Sequence, residues 1–325
     1  MNKTIKKNKS LLKLLLAVLT ISGCSIKNKI TKTKKAQTQQ KNKKTKQSTR
    51  VSKEKHTITV WIHGTRLMHG FLHRKVASIK NFFYRELGLK EAQAYSKDYN
   101  LRKIAVILCE KQKKRFNFDN FYFFGWSGNL DHNKRKEAAK KLNTAVKKLI
   151  AKYKTKHGVT PKIRLITHSH GGNVALCLSE INKTKKRKIS IDELVLLACP
   201  VQKKTEHMLK DNIFKKVYSL YSSIDLLQVV DPQGLTIKPS YVLTRPFFSQ
   251  RTFTTHKKLV QTKLKINGRG ILHVEFLLPK FVTLLPNILE ELDAWKQNST
   301  KHNRLNLLKI TTKSKTIFRR KLLRA

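Results

Sequence analysis

The stretch Ile163-Arg-Leu-Ile-Thr-His-Ser-His-Gly-Gly-Asn-Val-Ala-Leu176 decides how the rest of the chain is read. Ile163 to Ile166 is an apolar run short enough for a buried strand, and Asn173 to Leu178 suits a helix packed on a sheet. Between them, Thr167-His168-Ser169-His170-Gly171 is a turn with a central serine and a small residue two positions later. Strand, sharp turn with Ser, then helix is the context of a nucleophile elbow, which lifts a hydroxyl clear of the sheet. Gly171 lets the helix approach without a Cβ clash. The helix N-terminus offers unpaired N–H groups and partial positive charge to an anion developing beside Ser169. The usual pattern has glycine where Thr167 stands. A small non-glycine residue is tolerable there if the turn geometry allows it.

Toward the N-terminus, His56-Thr-Ile-Thr-Val-Trp-Ile62 is a β-rich run ending in His63-Gly64-Thr65. A strand that ends in His-Gly ahead of an elbow predicts an oxyanion hole from two backbone N–H groups, those of Thr65 and His170. In 66–96, the spacing of Phe71, Leu72, Val76, Ile79, Phe82, Phe83 and Leu87 predicts an amphipathic helix, either a core cover or a lid. Leu101–Cys109 fits a helical face or a buried strand. Helix is preferred, because Asn120–Phe124 is the better strand and a parallel neighbour of 57–62 needs a helical crossover before it. Trp126-Ser127-Gly128 follows, with Ser127 read equally as pocket lining or turn residue. Ala139, Leu142, Val146, Leu149, Ile150 and Tyr153 mark an amphipathic helix with a Lys-rich outer face.

Toward the C-terminus, Glu193–Pro200 and Lys216–Ser223 read as strands. Leu259–Ile266 alternates and reads as a half-exposed edge strand. Phe281, Leu284, Leu285, Ile288, Leu289, Leu292 and Trp295 form the last helical face. Residues 297–325 read as a basic, poorly ordered tail.

This order resembles the α/β-hydrolase superfamily over about residues 56–296. It is closest to bacterial lipase- or esterase-like members, in which Trp-Ser-Gly precedes an amphipathic helix and His-Ser-His-Gly-Gly-Asn; Trp126-Ser127-Gly128 and His168–Asn173 match as they stand. The resemblance implies one α/β domain, a mostly parallel central sheet with helices on both faces, and a triad in the chain order Ser, acid, His. Asp192 and Glu193 precede their strand, at the wrong sheet edge. Asp225 follows a strand, where ligands bind; Asp231 is the alternative. His207 comes before the acid, His256 lies ahead of the last strand and His302 falls in the tail. His273, between the last strand and the last helix, is the expected base. Ser169, Asp225 and His273 are thus the catalytic expectation, with Thr65 and His170 supplying backbone donors. His168 and His170 side chains are expected to shape the pocket, and His63 to be a structural hydrogen-bonder. No cofactor is expected, and no metal site, because no further ligands are spaced to complete one.

The 325 residues carry 71 Lys plus Arg against 19 Asp plus Glu, a formal charge of +52. Lys is spread along the whole chain, which suits a solvated surface or adhesion to a polyanion. Met1–Ser10 is Lys-rich, and Leu11–Ile21 is an apolar core too short to span a membrane as a stable helix. Ile21-Ser-Gly-Cys24 resembles a bacterial lipobox. That implies a signal peptide over 1–23, lipidation of Cys24, and, with Ser25 next, the outer rather than the inner membrane of the cell envelope where both exist. Residues 24–55 have almost nothing apolar and read as a disordered basic tether. Cys109, Cys177 and Cys199 each sit in an apolar run and read as buried thiols. The partners implied are an ester or acyl-lipid substrate, the membrane through the anchor, and anionic lipid or an envelope polymer; no specific nucleic acid is implied. Two function classes remain: a lipid-anchored serine hydrolase of carboxylic esters, and a non-catalytic basic lipoprotein that binds polyanions on the same fold.

Overall fold

The computed structural model describes residues 56–65, 87–183, 188–229, 249–298, 306–312 and 316–322. Its strands are β1 (Thr57–Ile62), β2 (Gly88–Glu91), β3 (Phe121–Gly125), β4 (Lys162–His168), β5 (Glu193–Leu197), β6 (Val217–Tyr221), β7 (Leu259–Ile266), β8 (Asn306–Thr311) and β9 (Ile317–Leu322). They form one sheet in the order β2-β3-β1-β4-β5-β6-β7-β8-β9. All neighbours from β3 to β8 are parallel, and the two edge strands, β2 and β9, are antiparallel. The helices are α1 (Asn100–Lys111), α2 (His132–His157), α3 (Gly171–Leu176), α4 (Leu178–Lys183), α5 (Lys203–Glu206) and α6 (Pro279–Asn298).

The central strands are apolar on both faces because both faces are covered. Ile58, Val60, Ile62, Ile163 and Leu165 pack on one side with Leu142 and Val146 of α2 and Val174 of α3. Trp61, Phe121, Phe123, Ile166 and Val195 pack on the other with Ile104 and Leu108 of α1 and Leu285 and Leu289 of α6. The α2 helix starts where Asp131 accepts from the Asn133 and Lys134 N–H groups, and stops at Gly158, left-handed at φ 71. Its stripe of Ala139, Leu142, Val146, Leu149 and Tyr153 is buried, as the spacing predicts. Leu101–Cys109 is helical, inside α1.

Strand order reverses around β1, which lies between β3 and β4. Chains leaving β1 and β4 therefore diverge at the carboxyl ends, where open α/β sheets bind ligands. This is the α/β-hydrolase fold: a mostly parallel sheet, helices on both faces, and an elbow after β4.

Two expectations are corrected, and a third falls mostly outside the described residues. The region expected as a tail from 297 supplies β8 and β9, so the domain runs on to Leu322. Leu308 and Ile310 point into the core beside Leu264 and Ile266, with Phe318 against them. Leu308 and Ile310 share one face of β8 two residues apart, and their burial outweighs the basic composition. In consequence β7 is an interior strand rather than an edge; its exposed-looking lysines lie on a sheet face. The helix expected in 66–96 lies outside the described residues as far as 86, and 88–91 form β2, paired with β3.

At the amino ends of the strands sits a buried ionic cluster. Glu193 accepts from Arg115 at 2.8 Å and Arg164 at 2.9 Å, and Lys216 lies 2.9 Å away. Burial works against the Glu193 carboxylate, but Arg164, Arg115 and Lys216 outweigh it and hold its pKa well below the usual value. This accounts for an acid at the wrong sheet edge for catalysis: Glu193 ties the loop after α1 to β4, β5 and the start of β6.

Candidate active site

Ser169 sits at φ 53, in the left-handed region that side chains other than glycine rarely adopt. Its N–H donates to Leu197 O at 2.9 Å, so the turn is tied to β5 while the side chain is turned off the sheet. Thr167 needs no special conformation. Its hydroxyl donates across to Val195 O at 3.2 Å, which explains why threonine serves where glycine is usual.

Two glycines make the turn fit. A Cβ on Gly64 would lie 2.8 Å from Ser169 Cβ, so the loop after β1 passes directly against the serine. A Cβ on Gly171 would lie 2.5 Å from His63 O and 2.7 Å from Ile62 O, so α3 starts against the backbone end of β1. Both contacts are too close for any side chain. This packing brings Thr65 beside the elbow. Thr65 and His170 are buried, and their backbone N–H groups donate to no described residue. Two buried donors left open beside a serine can stabilise an oxyanion.

The acid and the imidazole meet as the chain order requires. Asp225, 1% exposed, accepts from His273 Nδ1 at 2.8 Å through Oδ2 and from the Gln228 N–H at 3.1 Å through Oδ1. Arg251 donates to Ser222 O at 3.1 Å and Asp225 O at 3.0 Å, fixing the loop after β6. The two loops are stapled together by Ile271 N–H, which donates to Ser222 Oγ at 2.9 Å. His273 itself opens a short 3₁₀ turn, and Glu275 holds that turn through the Leu272 N–H (2.6 Å) and Arg269. With Nδ1 donating to Asp225, Nε2 of His273 is the nitrogen left to accept a proton.

The flanking histidines have distinct tasks. His168 Nε2 lies 3.0 Å from His273 O, with the two rings 4.6 Å apart, so it braces the backbone of the imidazole loop. His170 Nδ1 lies 3.1 Å from Arg135, whose other nitrogen donates to Gln202 at 2.9 Å. Arg135 can only donate, so His170 Nδ1 accepts and the ring is neutral. Burial first, then the Arg135 charge and His273, push the His170 pKa well below 6.5. Asn173 extends this cluster, donating to Pro200 O at 2.9 Å and accepting from Thr205. Arg135 carried no sequence signal of its own; it lies on the buried side of the first turn of a Lys-rich helix. His63 is structural: Nε2 accepts the Trp126 N–H at 3.1 Å, and its carbonyl accepts the indole N–H at 2.8 Å. Ser127 is exposed and accepts from the Asn129 N–H at 3.4 Å, a turn contact.

His207 and His256 lie outside this group. Asp231, His302, Cys24 and residues 1–55 fall outside the described residues. Cys109, Cys177 and Cys199 are buried, free thiols. No cluster of three metal-ligating side chains occurs among the described residues.

The sheet order and the turn after β4 define a domain of the α/β-hydrolase fold, with an Asp–His pair at the carboxyl edge of its sheet. A family model described as "PGAP1-like alpha/beta domain" matches residues 71–225, a span that includes the elbow and ends on Asp225. Among solved structures, the chain is similar to XC6422 from Xanthomonas campestris, described as an α/β serine hydrolase without lid. Identity is 12% over 73% of this chain and 82% of that one, with a TM-score of 0.35. The lin2722 product of Listeria innocua is 12% identical over 80% and 100% of the two chains, with a TM-score of 0.38. Phospholipase PlaB from Legionella pneumophila is 12% identical over 82% and 48%, with a TM-score of 0.29. No curated protein matches the chain.

Proposed function

We propose that this protein is a serine hydrolase of carboxylic esters, acyl lipids among them, acting through Ser169, Asp225 and His273. The observation that carries this is the 2.8 Å bond from His273 Nδ1 to buried Asp225, in the same domain as a strained Ser169 flanked by two open N–H donors. Serine is a weak nucleophile until a base takes its proton. His273 Nε2 takes it as Oγ attacks the ester carbonyl, and the carbonyl oxygen turns its new charge toward the Thr65 and His170 N–H groups. His273 then protonates the leaving alcohol, and water, activated by the same imidazole, releases the acid from Ser169. Asp225 holds the ring in the tautomer that presents Nε2 and stabilises its cationic form. A neutral His170 suits the step, since a second imidazolium beside His273 would oppose charging of the base.

The chain is further proposed to act from the cell envelope, held by lipid on Cys24 through the basic segment 24–55. The Lys-rich start, the apolar run and Ile21-Ser-Gly-Cys24 support this reading. No helix among the described residues is long and apolar enough to cross a membrane.

A fluorophosphonate probe tests the chemistry. It should label the parent and leave Ser169→Ala unlabelled; turnover of p-nitrophenyl esters from short to long chain then reads the acyl preference. Failure of the parent to label would return the chain to the class of non-catalytic polyanion binders, and labelling that survives in Ser169→Ala would place the nucleophile elsewhere. A fatty-acid probe tests the anchor, which is wrong if Cys24→Ala labels as well as the parent.

A further inference from the structure

Among the described residues, the helices that cover one face of the sheet stop short of its last three strands. On that face β1, β4 and β5 lie under α2, α3 and α4. Beyond β6 the other face of β7 and β8 packs against α6 through Leu264, Ile266, Leu308 and Ile310. Side chains alternate along a strand, so Lys263, Lys265, Lys309, Arg319 and Lys321 point the opposite way. Lys309, Arg319 and Lys321 are exposed, and Lys263 and Lys265 are half-buried.

Register turns these five into a grid. Lys265 pairs with Lys309, and Lys309 pairs with Arg319, placing three cations side by side across three strands. Lys263 and Lys321 flank Leu307 two residues away. At about 4.8 Å between strands and 3.3 Å per residue, the five side chains leave a patch of roughly 10 by 7 Å. The three strands contain no acid. None of the five cations forms an ion pair with a described residue, although charges elsewhere on the domain do, as in Lys136–Glu180 and Lys215–Asp192. Like charges placed directly opposite destabilise a sheet. Edge lysines commonly guard against strand addition, but guarding the edge strand does not require a cation on interior β7 in the same row.

We propose that this face of β7–β9, which no described helix covers, is an adhesion surface for an anionic lipid bilayer. Charge complementarity sets the sign of the partner, and the surroundings favour a bilayer over a nucleic acid. Ile317 is 41% exposed at the end of β9 that pairs with Thr311, toward the carboxyl ends of the parallel strands. Ile224 and Leu226, 42% and 45% exposed, flank Asp225 on the same sheet edge. Cations on a flat face beside exposed aliphatics suit headgroups and the acyl boundary. The patch offers no exposed aromatic among the described residues on which bases would stack. β9 lies three strand spacings, about 14 Å, from β6, so adhesion would bring the edge that carries Asp225 and His273 to the lipid. Adhesion itself does not depend on ester hydrolysis; only its use does.

The test is partition of the full chain onto vesicles of phosphatidylcholine with phosphatidylglycerol, with residues 1–55 common to every variant. Each cation near an anionic leaflet contributes about fivefold. Substituting Lys263, Lys265, Lys309, Arg319 and Lys321 with Gln should therefore lower partition by roughly 100-fold or more at low salt. The matched variant with Lys140, Lys141, Lys148, Lys154 and Lys156 of α2 changed to Gln should stay within about threefold of the parent. Anionic vesicles, and not pure phosphatidylcholine, should slow amide exchange across 317–322 in the parent. Ser169→Ala should partition like the parent, so loss of catalysis and loss of adhesion are read separately. Equal loss from the α2 variant would reduce the effect to net charge and overturn the proposal. So would unchanged partition of the β7–β9 variant, or a loss of its duplex-DNA binding with vesicle binding intact. If the fivefold change impairs folding, Lys309→Gln/Arg319→Gln should still cost about tenfold or more.

Discussion

Ser169 and His273 should fail as one unit, because removing either leaves no activated nucleophile. Ser169→Ala, His273→Ala and the double variant should therefore lose nearly the same kcat/KM, far from the product of the single losses. Asp225→Asn keeps the volume but favours the wrong imidazole tautomer, and should cost roughly 10³- to 10⁴-fold. His256→Ala should cost little, since His256 makes no contact with the Asp225–His273 pair. A crippled Asp231→Asn beside a silent Asp225→Asn would move the acid while leaving the fold untouched. Arg135 belongs at this scale too. It is buried and donates to His170 and Gln202. Arg135→Ala would strand two buried acceptors, a loss of about 2–6 kcal/mol at 1–3 kcal/mol each, measurable by urea unfolding. A change under about 0.5 kcal/mol would show that the cluster does not hold the elbow.

At the scale of elements, the last two strands carry the lesson. Asn306–Thr311 and Ile317–Leu322 contain enough Lys and Arg to read as tail, yet Leu308, Ile310 and Phe318 bury one face against α6. The like-charged row Lys265, Lys309 and Arg319 then opposes the pairing that those residues drive. Lys309→Thr removes the central charge and keeps a good strand former, and should raise stability by about 0.5 kcal/mol. The gain should shrink as salt rises, because exposed charges are screened within about 10 Å at 0.1 M. Thermal melts at low and high salt check it; a loss of stability at low salt would mean that Lys309 has a stabilising role in the free protein.

For the whole molecule, the pH dependence of stability follows from groups far apart in the sheet. His170 is held neutral, its pKa well below 6.5 from burial, then Arg135, then His273. Below pH 6.5 the unfolded chain takes up a proton there that the folded chain refuses. The contribution is full above 6.5 and erodes as pH falls, by up to about 1.4 kcal/mol per pH unit. His132 acts in the same direction, through burial and then Arg135. Glu193 adds an acid limb: its pKa is depressed below 4.5, so its contribution is present above 4.5 and lost as pH falls through the lower, folded value. Melting temperature should thus decline from pH 7 to 5, and His170→Asn should flatten that decline. A parent profile flat from 7 to 5 would contradict a neutral, buried His170.

Local chemistry was legible without the fold. The elbow shows in an apolar run, a serine turn and Gly171 within a few residues, because a strained strand-to-helix turn is built from adjacent positions. Asp225 and His273 could be nominated because the resemblance implies the order Ser, acid, His and each follows a strand at the one sheet edge that collects such loops; only the fold brings the two side chains within 2.8 Å. Helix α2 was readable from its period, and strands β3 to β6 from short apolar runs, because a strand covered on both faces has no alternation to show. What the sequence left open depended on distant partners. That β7 is interior rather than an edge depends on β8, some forty residues later. Arg135 became part of the site only when α2 packed over α3 and Gln202 closed the gap. Thr65 acquired its place only because Gly64 and Gly171 let two backbones approach closer than a methyl group allows. The basic face arose only from register: lysines spread evenly along a chain carry no pattern until hydrogen bonds between strands set Lys265, Lys309 and Arg319 in one row.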